Sequence, residues 1–187
     1  QKENGLLVDR TISHIAIHEM NNYHKLLAAT DGGIIMYPDL KMKKQIVENA
    51  VSLFHKFGYK NPKVAILTAI EKTNKKMPET IDAQELKQMN IDGEIKDCVV
   101  EGPISYDLTM SKESAEIKGF ASPVTGNADI LVVPNMLTGN ILGKSLIYSA
   151  NAKMAGLVIG AKVPIVLTSR GATYREKYLS IIISSFY

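Results

Sequence analysis

With 187 residues, 45% of them hydrophobic and 22% charged, the chain has an ordinary globular composition and length for one full domain and part of another. No run reaches the roughly 18 apolar residues of a membrane span, and the single cysteine, Cys98, excludes an internal disulfide and fits a reducing cytoplasm. The net charge of +3 is spread along the chain, and the basic runs at 41–44 and 72–76 lack interleaved aromatics, so they read as a solvated helix face and a loop rather than a nucleic-acid surface. Gln1 is not an initiator methionine and 1–4 carries no signal pattern, so the chain is expected to begin inside a longer gene product.

Residues 12–17 and 26–30 read as strands of a hairpin. Pro38 and Asp39 open a helix, Asp39 as N-cap, with Ile46, Val47, Ala50, Val51, Phe54 and Phe57 at helical spacing and Gly58 as its stop. A short apolar strand follows at 63–67. The polar stretch 71–79 reads as a loop, and Asp82 with Glu85 has capping-box spacing before a short helix ending near Asn90. A strand at 99–100 contains the neighbourhood of Cys98, which reads as a buried, inert thiol. Residues 111–118 look helical, 129–133 form an apolar strand, and 138–155 follow as a helix striped by Ile141, Leu142, Leu146, Ala150 and Met154. Strands at 157–159 and 164–167 and a last helix at 172–186 complete the chain. Strands alternating with helices predict an α/β fold with a mostly parallel sheet and crossover helices, carrying an antiparallel piece at its start.

Two motifs mislead. Gly139-Asn-Ile-Leu-Gly-Lys-Ser145 resembles a phosphate-binding P-loop but has three residues, not four, before Gly-Lys. His14 and His18 have zinc-pair spacing, but on a strand four residues span about 13 Å, too far for one ion; they read as two side chains on one face, and no metal site is visible. Neither Gly-x-Ser-x-Gly nor Gly-x-Gly-x-x-Gly occurs.

Three loops after strands hold small and polar residues: 101–107, 134–144 and 168–171. Ligands bind beyond the carboxyl ends of parallel strands, so the three are expected to meet at one crevice. In the last, Ser169 offers a hydroxyl, Arg170 a planar cation and Gly171 close backbone approach, a set that suits phosphate. Local sequence alone favours reading Ser169 as a helix N-cap beside a surface arginine.

The ordered set Ser13-His-Ile-Ala-Ile17, Thr30-Asp-Gly-Gly33, Asn74-Lys-Lys-Met-Pro78, Glu101-Gly-Pro103 with Asp107, Gly126-Asn-Ala-Asp-Ile-Leu-Val-Val-Pro134, Thr138-Gly-Asn140, Lys144 and 161–170 resembles the phosphate acetyl/butyryl transferase family over nearly the whole chain. The 74–78 segment and the region of Ile147 and Tyr148 look like its butyryl branch; the acetyl branch usually has an arginine where Tyr148 stands. The family often has an asparagine near Ile35 and a tyrosine where Gly143 stands.

The resemblance implies a two-domain fold similar to isocitrate and isopropylmalate dehydrogenases with an incomplete first domain here. Residues 1–167 would form the second (middle) domain and 168–187 a returning helix, whose Leu179, Ile182, Ile183 and Phe186 would be exposed or docked on a neighbour. It implies exchange of an acyl group between coenzyme A and inorganic phosphate with no cofactor, in a cytoplasmic homodimer or higher homo-oligomer. Ser169, Arg170 and Glu176 would be catalytic, Glu176 as the base. Asp31, Gly102, Pro103, Asp107, Asn135, Thr138, Gly139, Asn140 and Lys144 would bind substrate, the backbone N–H groups of 138–140 holding negative charge. A phosphate acetyltransferase, a non-catalytic coenzyme A-binding or dimerisation domain, a fusion partner of an acyl-CoA enzyme and a β-decarboxylating dehydrogenase stay open as alternatives, the last without the aspartate cluster it needs.

Overall fold

The computed structural model describes residues 5–6 and 8–187. Strands β1 (Ser13–Glu19) and β2 (Leu27–Thr30) pair antiparallel as predicted, Ile15 opposite Thr30. Helix α1 (Leu40–Lys56) starts where Asp39 accepts the Met42 N–H at 2.8 Å, and stops ahead of Gly58 at φ +88°, a left-handed position suited to glycine. After β3 (Lys63–Leu67), helix α2 (Pro78–Ile91) begins earlier than predicted. Pro78 takes its first turn, where a missing N–H removes no helical bond, and Asp82 reaches Lys43 at 2.6 Å instead of capping.

β4 (Val99–Ile104) leads into α3 (Tyr106–Met110), five residues that were too few to show a period, and then α4 (Lys112–Ile117), where the Ser111 hydroxyl accepts the Ser114 N–H at 3.1 Å. β5 (Ile130–Val132) and α5 (Met136–Ala150) follow. The end of α5 falls five residues before the predicted one, because Asn151 adopts a left-handed cap at φ +52°. Met154 therefore stands in β6 (Lys153–Ile159) and not on the helix stripe. β7 (Ile165–Val166) and α6 (Tyr174–Ser184) end the chain.

The seven strands form one sheet in the order β4-β3-β5-β2-β1-β6-β7. Among the described residues, β4-β3, β3-β5 and β5-β2 are parallel, whereas β2-β1, β1-β6 and β6-β7 are antiparallel. The sheet is thus mixed, which corrects the expectation of a mostly parallel one. The cause is β1: inserted between β2 and β6, it opposes both, and the turn at 160–164 reverses the chain once more into β7.

Strand alternation divides the core in two. On one face Ile15, Ala28, Val64, Ile130 and Leu157 pack on Val47, Phe54 and Leu86 of α1 and α2. On the other Ala29, Ala65 and Leu131 meet Leu108, Ala115 and Leu146 of α3, α4 and α5. Central strands covered on both sides explain the continuous apolar runs. Cys98 is buried, and that burial, with Asp97 nearby, pushes its thiol up to about 12, so it is inert at neutral pH.

Helix α6 lies along β6. The Gly156 N–H donates to the Ser180 hydroxyl at 2.9 Å, and Ile183 and Tyr187 join the α1-side core. Its outer positions Ile181, Ile182 and Phe186 stay exposed, the Phe186 ring edge-on to Phe57.

Candidate active site

Two clefts flank the first turns of α5. One, of about 680 Å³, lies at the carboxyl ends of β3 and β5, where Thr68, Pro134 and Asn135 face Tyr37 and Tyr106. The other, of about 510 Å³, lies on the sheet face between α5 and the segment joining β7 to α6, with β1, β2 and β6 as its floor. Asn140, Lys144, Ser169 and Glu176 line this second cleft, together with His14 and Arg175.

The predicted single crevice is therefore two. The loop after β7 was expected at the carboxyl rim of the parallel strands. β6 runs in the sense of β2, and β7 runs against it, so the chain leaves β7 away from that rim and crosses the sheet face. Asn135 and Thr138 remain at the rim cleft, while Gly139, Asn140 and Lys144, further along the same helix, face Ser169 across the other.

The start of α5 is internally saturated. Asn135 is its N-cap: its side-chain oxygen accepts both the N–H and the hydroxyl of Thr138 at 3.0 Å, and its carbonyl accepts the Gly139 N–H at 3.2 Å. The amides of Thr138 and Gly139 are thus engaged and do not wait for an anion as expected. Gly139 serves contact instead, since a Cβ there would fall 2.7 Å from Gly32 Cα and 3.0 Å from the Asp31 carbonyl oxygen. Asn140 donates its side-chain N–H to the Gly32 carbonyl at 3.4 Å.

Asp31, expected as a substrate ligand, is buried. Its carboxylate accepts the N–H groups of Gly33 (2.7 Å), Ile34 (2.9 Å), Ile35 (3.3 Å) and His14 (3.1 Å), holding the turn under α5. Gly102 and Pro103 stand in β4 and not in a loop. Their peptide bond is cis, and a Cβ on Gly102 would lie 2.8 Å from that of Ile66, so the pair packs β4 against β3. Asp107 lies outside both clefts. It accepts the Ser105 hydroxyl at 2.6 Å and pairs with Lys118 at 2.9 Å, which together hold its carboxyl below the usual range.

Thr173, and not Ser169, caps α6. Glu176 completes a capping box there, its carboxylate accepting the Thr173 N–H at 2.6 Å and hydroxyl at 2.9 Å. The predicted base is therefore already committed to its own helix. Ser169 is exposed in the cleft with its hydroxyl free for a ligand apart from a long 3.4 Å contact from the Gly171 N–H. Arg170 is exposed next to it and lines neither cleft. The cation that does line the Ser169 cleft from α6 is Arg175, whose only signal in the sequence is its position one residue into α6.

His14 and His18 share the α5 side of β1, as strand alternation predicts. His18 is fully buried and neither ring nitrogen has a hydrogen-bond partner. Burial lowers its pKa to about 4, and the neighbouring Leu27 carbonyl offsets only part of that. The unfolded chain then binds more protons than the folded one between about pH 4 and the ordinary 6.5, so this contribution is complete above 6.5 and is lost as pH falls toward 4. Urea unfolding of His18→Phe is expected to lose about 2–3 kcal/mol less stability than the parent between pH 7 and pH 4; equal losses would mean that His18 is protonated within the fold.

The sequence pattern described as "Phosphate acetyl/butaryl transferase" matches residues 3–185. This chain belongs to the phosphate acetyl/butyryl transferase family. It is 43% identical over 184 residues to a phosphate butyryltransferase of Clostridium acetobutylicum, covering 98% of this chain and 61% of that protein. It is also 43% identical over 183 residues to a phosphate acetyltransferase of Rhizobium meliloti, covering 98% and 58%. The crystal structure of a branched-chain phosphotransacylase from Enterococcus faecalis superposes with a TM-score of 0.90 at 36% identity, covering 99% of this chain and 66% of that one. This family member thus spans about three fifths of the length of those curated relatives.

Proposed function

We propose that the protein carrying this chain is a phosphate acyltransferase that converts butyryl-CoA and inorganic phosphate to butyryl phosphate and free coenzyme A. The face cleft carries the reading: a hydroxyl held only by a long contact (Ser169) and two cations (Lys144, and Arg175, whose charge also acts on Glu19) stand above a floor that includes Ala16 and Met154. Such a surface suits a substrate that joins an anionic group to an aliphatic one. The names of its butyryl and branched-chain relatives agree.

A phosphate oxygen attacks the thioester carbonyl, a tetrahedral oxyanion forms, and the C–S bond breaks to release the thiolate, which takes a proton from solvent. Ser169 donates a hydrogen bond to the oxyanion or the departing sulfur. Arg170, adjacent to Ser169 in the chain, holds phosphate, and Lys144 adds charge from across the cleft. Positioning the two substrates contributes much of the rate. Coenzyme A is a substrate here, and no resident cofactor or metal is needed. A two-domain arrangement similar to isocitrate dehydrogenase, a cytoplasmic location and assembly as a homodimer or larger belong to the same reading.

The acetyl alternative rests on the equal identity of the Rhizobium relative, and an assay with both acyl-CoA substrates separates the two. In the full-length protein, release of coenzyme A from butyryl-CoA and phosphate is expected to fall by about 10²-fold or more in Arg170→Ala. Full activity in that variant, with loss in Arg175→Ala, would transfer the phosphate role to Arg175.

A further inference from the structure

Gly143 lies in the interior of α5, where glycine is disfavoured by about 1 kcal/mol against alanine. Nothing local requires it. Its backbone is not left-handed, and a Cβ built there meets only His18 Nε2, at an unstrained 3.8 Å. Gly139, one turn earlier on the same helix, is the contrast: there a Cβ would collide with backbone at 2.7 Å. Gly143 faces the cleft between Asn140 and Ile147, on the stripe of α5 that lines it. Its missing side chain is therefore cleft volume rather than a packing necessity.

The His18 ring is the nearest neighbour of that volume, and four apolar side chains share the lining of the cleft around it. Ala16 and Met154 rise from the floor, Ile147 follows one turn along α5, and Leu179 approaches from α6. His18 beneath is buried and unpartnered, so no fixed charge underlies the space. Polar groups share the cleft, among them Ser169, Lys144, Asn140 and Arg175. A short hydrocarbon chain attached to a polar head fits this division, with the carbonyl toward Ser169 and the tail over Gly143.

We propose that the gap at Gly143 is the subsite for the acyl tail and that its size selects acyl groups longer than acetyl. The inference rests on the acyltransferase reading above and adds the residue that sets chain length.

The test compares butyryl-CoA with acetyl-CoA in the full-length protein carrying Gly143→Ala or Gly143→Leu. The butyryl-to-acetyl ratio of kcat/KM is expected to drop about 10-fold for alanine and further for leucine, since one methylene in an apolar pocket is worth about 10-fold or more. Thermal unfolding of Gly143→Ala should show no loss of stability, because alanine is the better helix former, so a changed ratio does not report misfolding. An unchanged ratio in both variants, or an equal fall for the two substrates, would overturn the subsite. If the parent turns over neither substrate, the acyltransferase reading fails on its own, and calorimetry decides the subsite. Butyryl-CoA binding the parent more tightly than free coenzyme A, with the difference lost in Gly143→Leu, supports it; equal affinities in the parent overturn it.

Discussion

Ser169→Ala in the full-length protein is expected to lower kcat for coenzyme A release from butyryl-CoA by about 10²–10³-fold, with a small change in KM. The hydroxyl is exposed in the face cleft, and its one internal contact, from the Gly171 N–H, is long at 3.4 Å. A donor held in that way is available to charge that develops in the transition state, and removal of one such donor typically costs about that factor. An interaction used only in the transition state alters kcat and leaves substrate affinity nearly intact. A rise in KM at constant kcat would instead make Ser169 a binding group, and parental kinetics would remove it from the chemistry. The serine caps no helix, since Thr173 does that, so the substitution should leave the unfolding midpoint unchanged.

Asp31→Ala is expected to destabilise the isolated chain by about 3 kcal/mol or more in urea unfolding, before any question of substrate arises. Four backbone N–H groups converge on this buried carboxylate, from His14, Gly33, Ile34 and Ile35. Hydrogen bonds to a charged group contribute about 1.5–3 kcal/mol each, and buried donors left without a partner cost more than their bonds gave. Asp31→Asn, which keeps one acceptor oxygen, should recover part of the loss. A change below about 1 kcal/mol for the alanine variant would return Asp31 to the role of a free substrate ligand.

These two residues show where sequence was readable and where it was not. Ser169 follows an apolar strand and precedes arginine and glycine, a string that marked its loop for a cleft, and it does line one. Asp31 sits in an equally suggestive Thr-Asp-Gly-Gly string, yet its oxygens are filled by the backbone of its own turn, which composition cannot reveal. The elements themselves were legible wherever period or cap was clear: the β1-β2 hairpin, α1 from Asp39 to Gly58, and the apolar strands β3 and β5. The sense of the sheet was less so. Apolar runs identify buried strands, but pairing direction depends on which strand lies beside which, and β1 between β2 and β6 could not be foreseen from their order in the chain. The further reversal from β6 into β7 turned the Ser169 loop from the rim onto the sheet face. Arg175 escaped for a related reason: it is unremarkable in its local string and borders the cleft only because α6 packs along β6, whereas His14, singled out for its spacing from His18, lines the same space.

The shortness of β7 has its own consequence. Only Leu157 and Val158 of β6 find strand partners on that side, which would leave the rest of a seven-residue strand with its outer amides bare. The Ser180 hydroxyl takes the Gly156 amide, and α6 lies where another strand would otherwise add. The helix thus acts as a guard against edge-to-edge pairing. A nick or truncation ahead of Thr173 would uncover an aliphatic strand edge able to pair with another copy, so α6 shields the edge of the whole sheet.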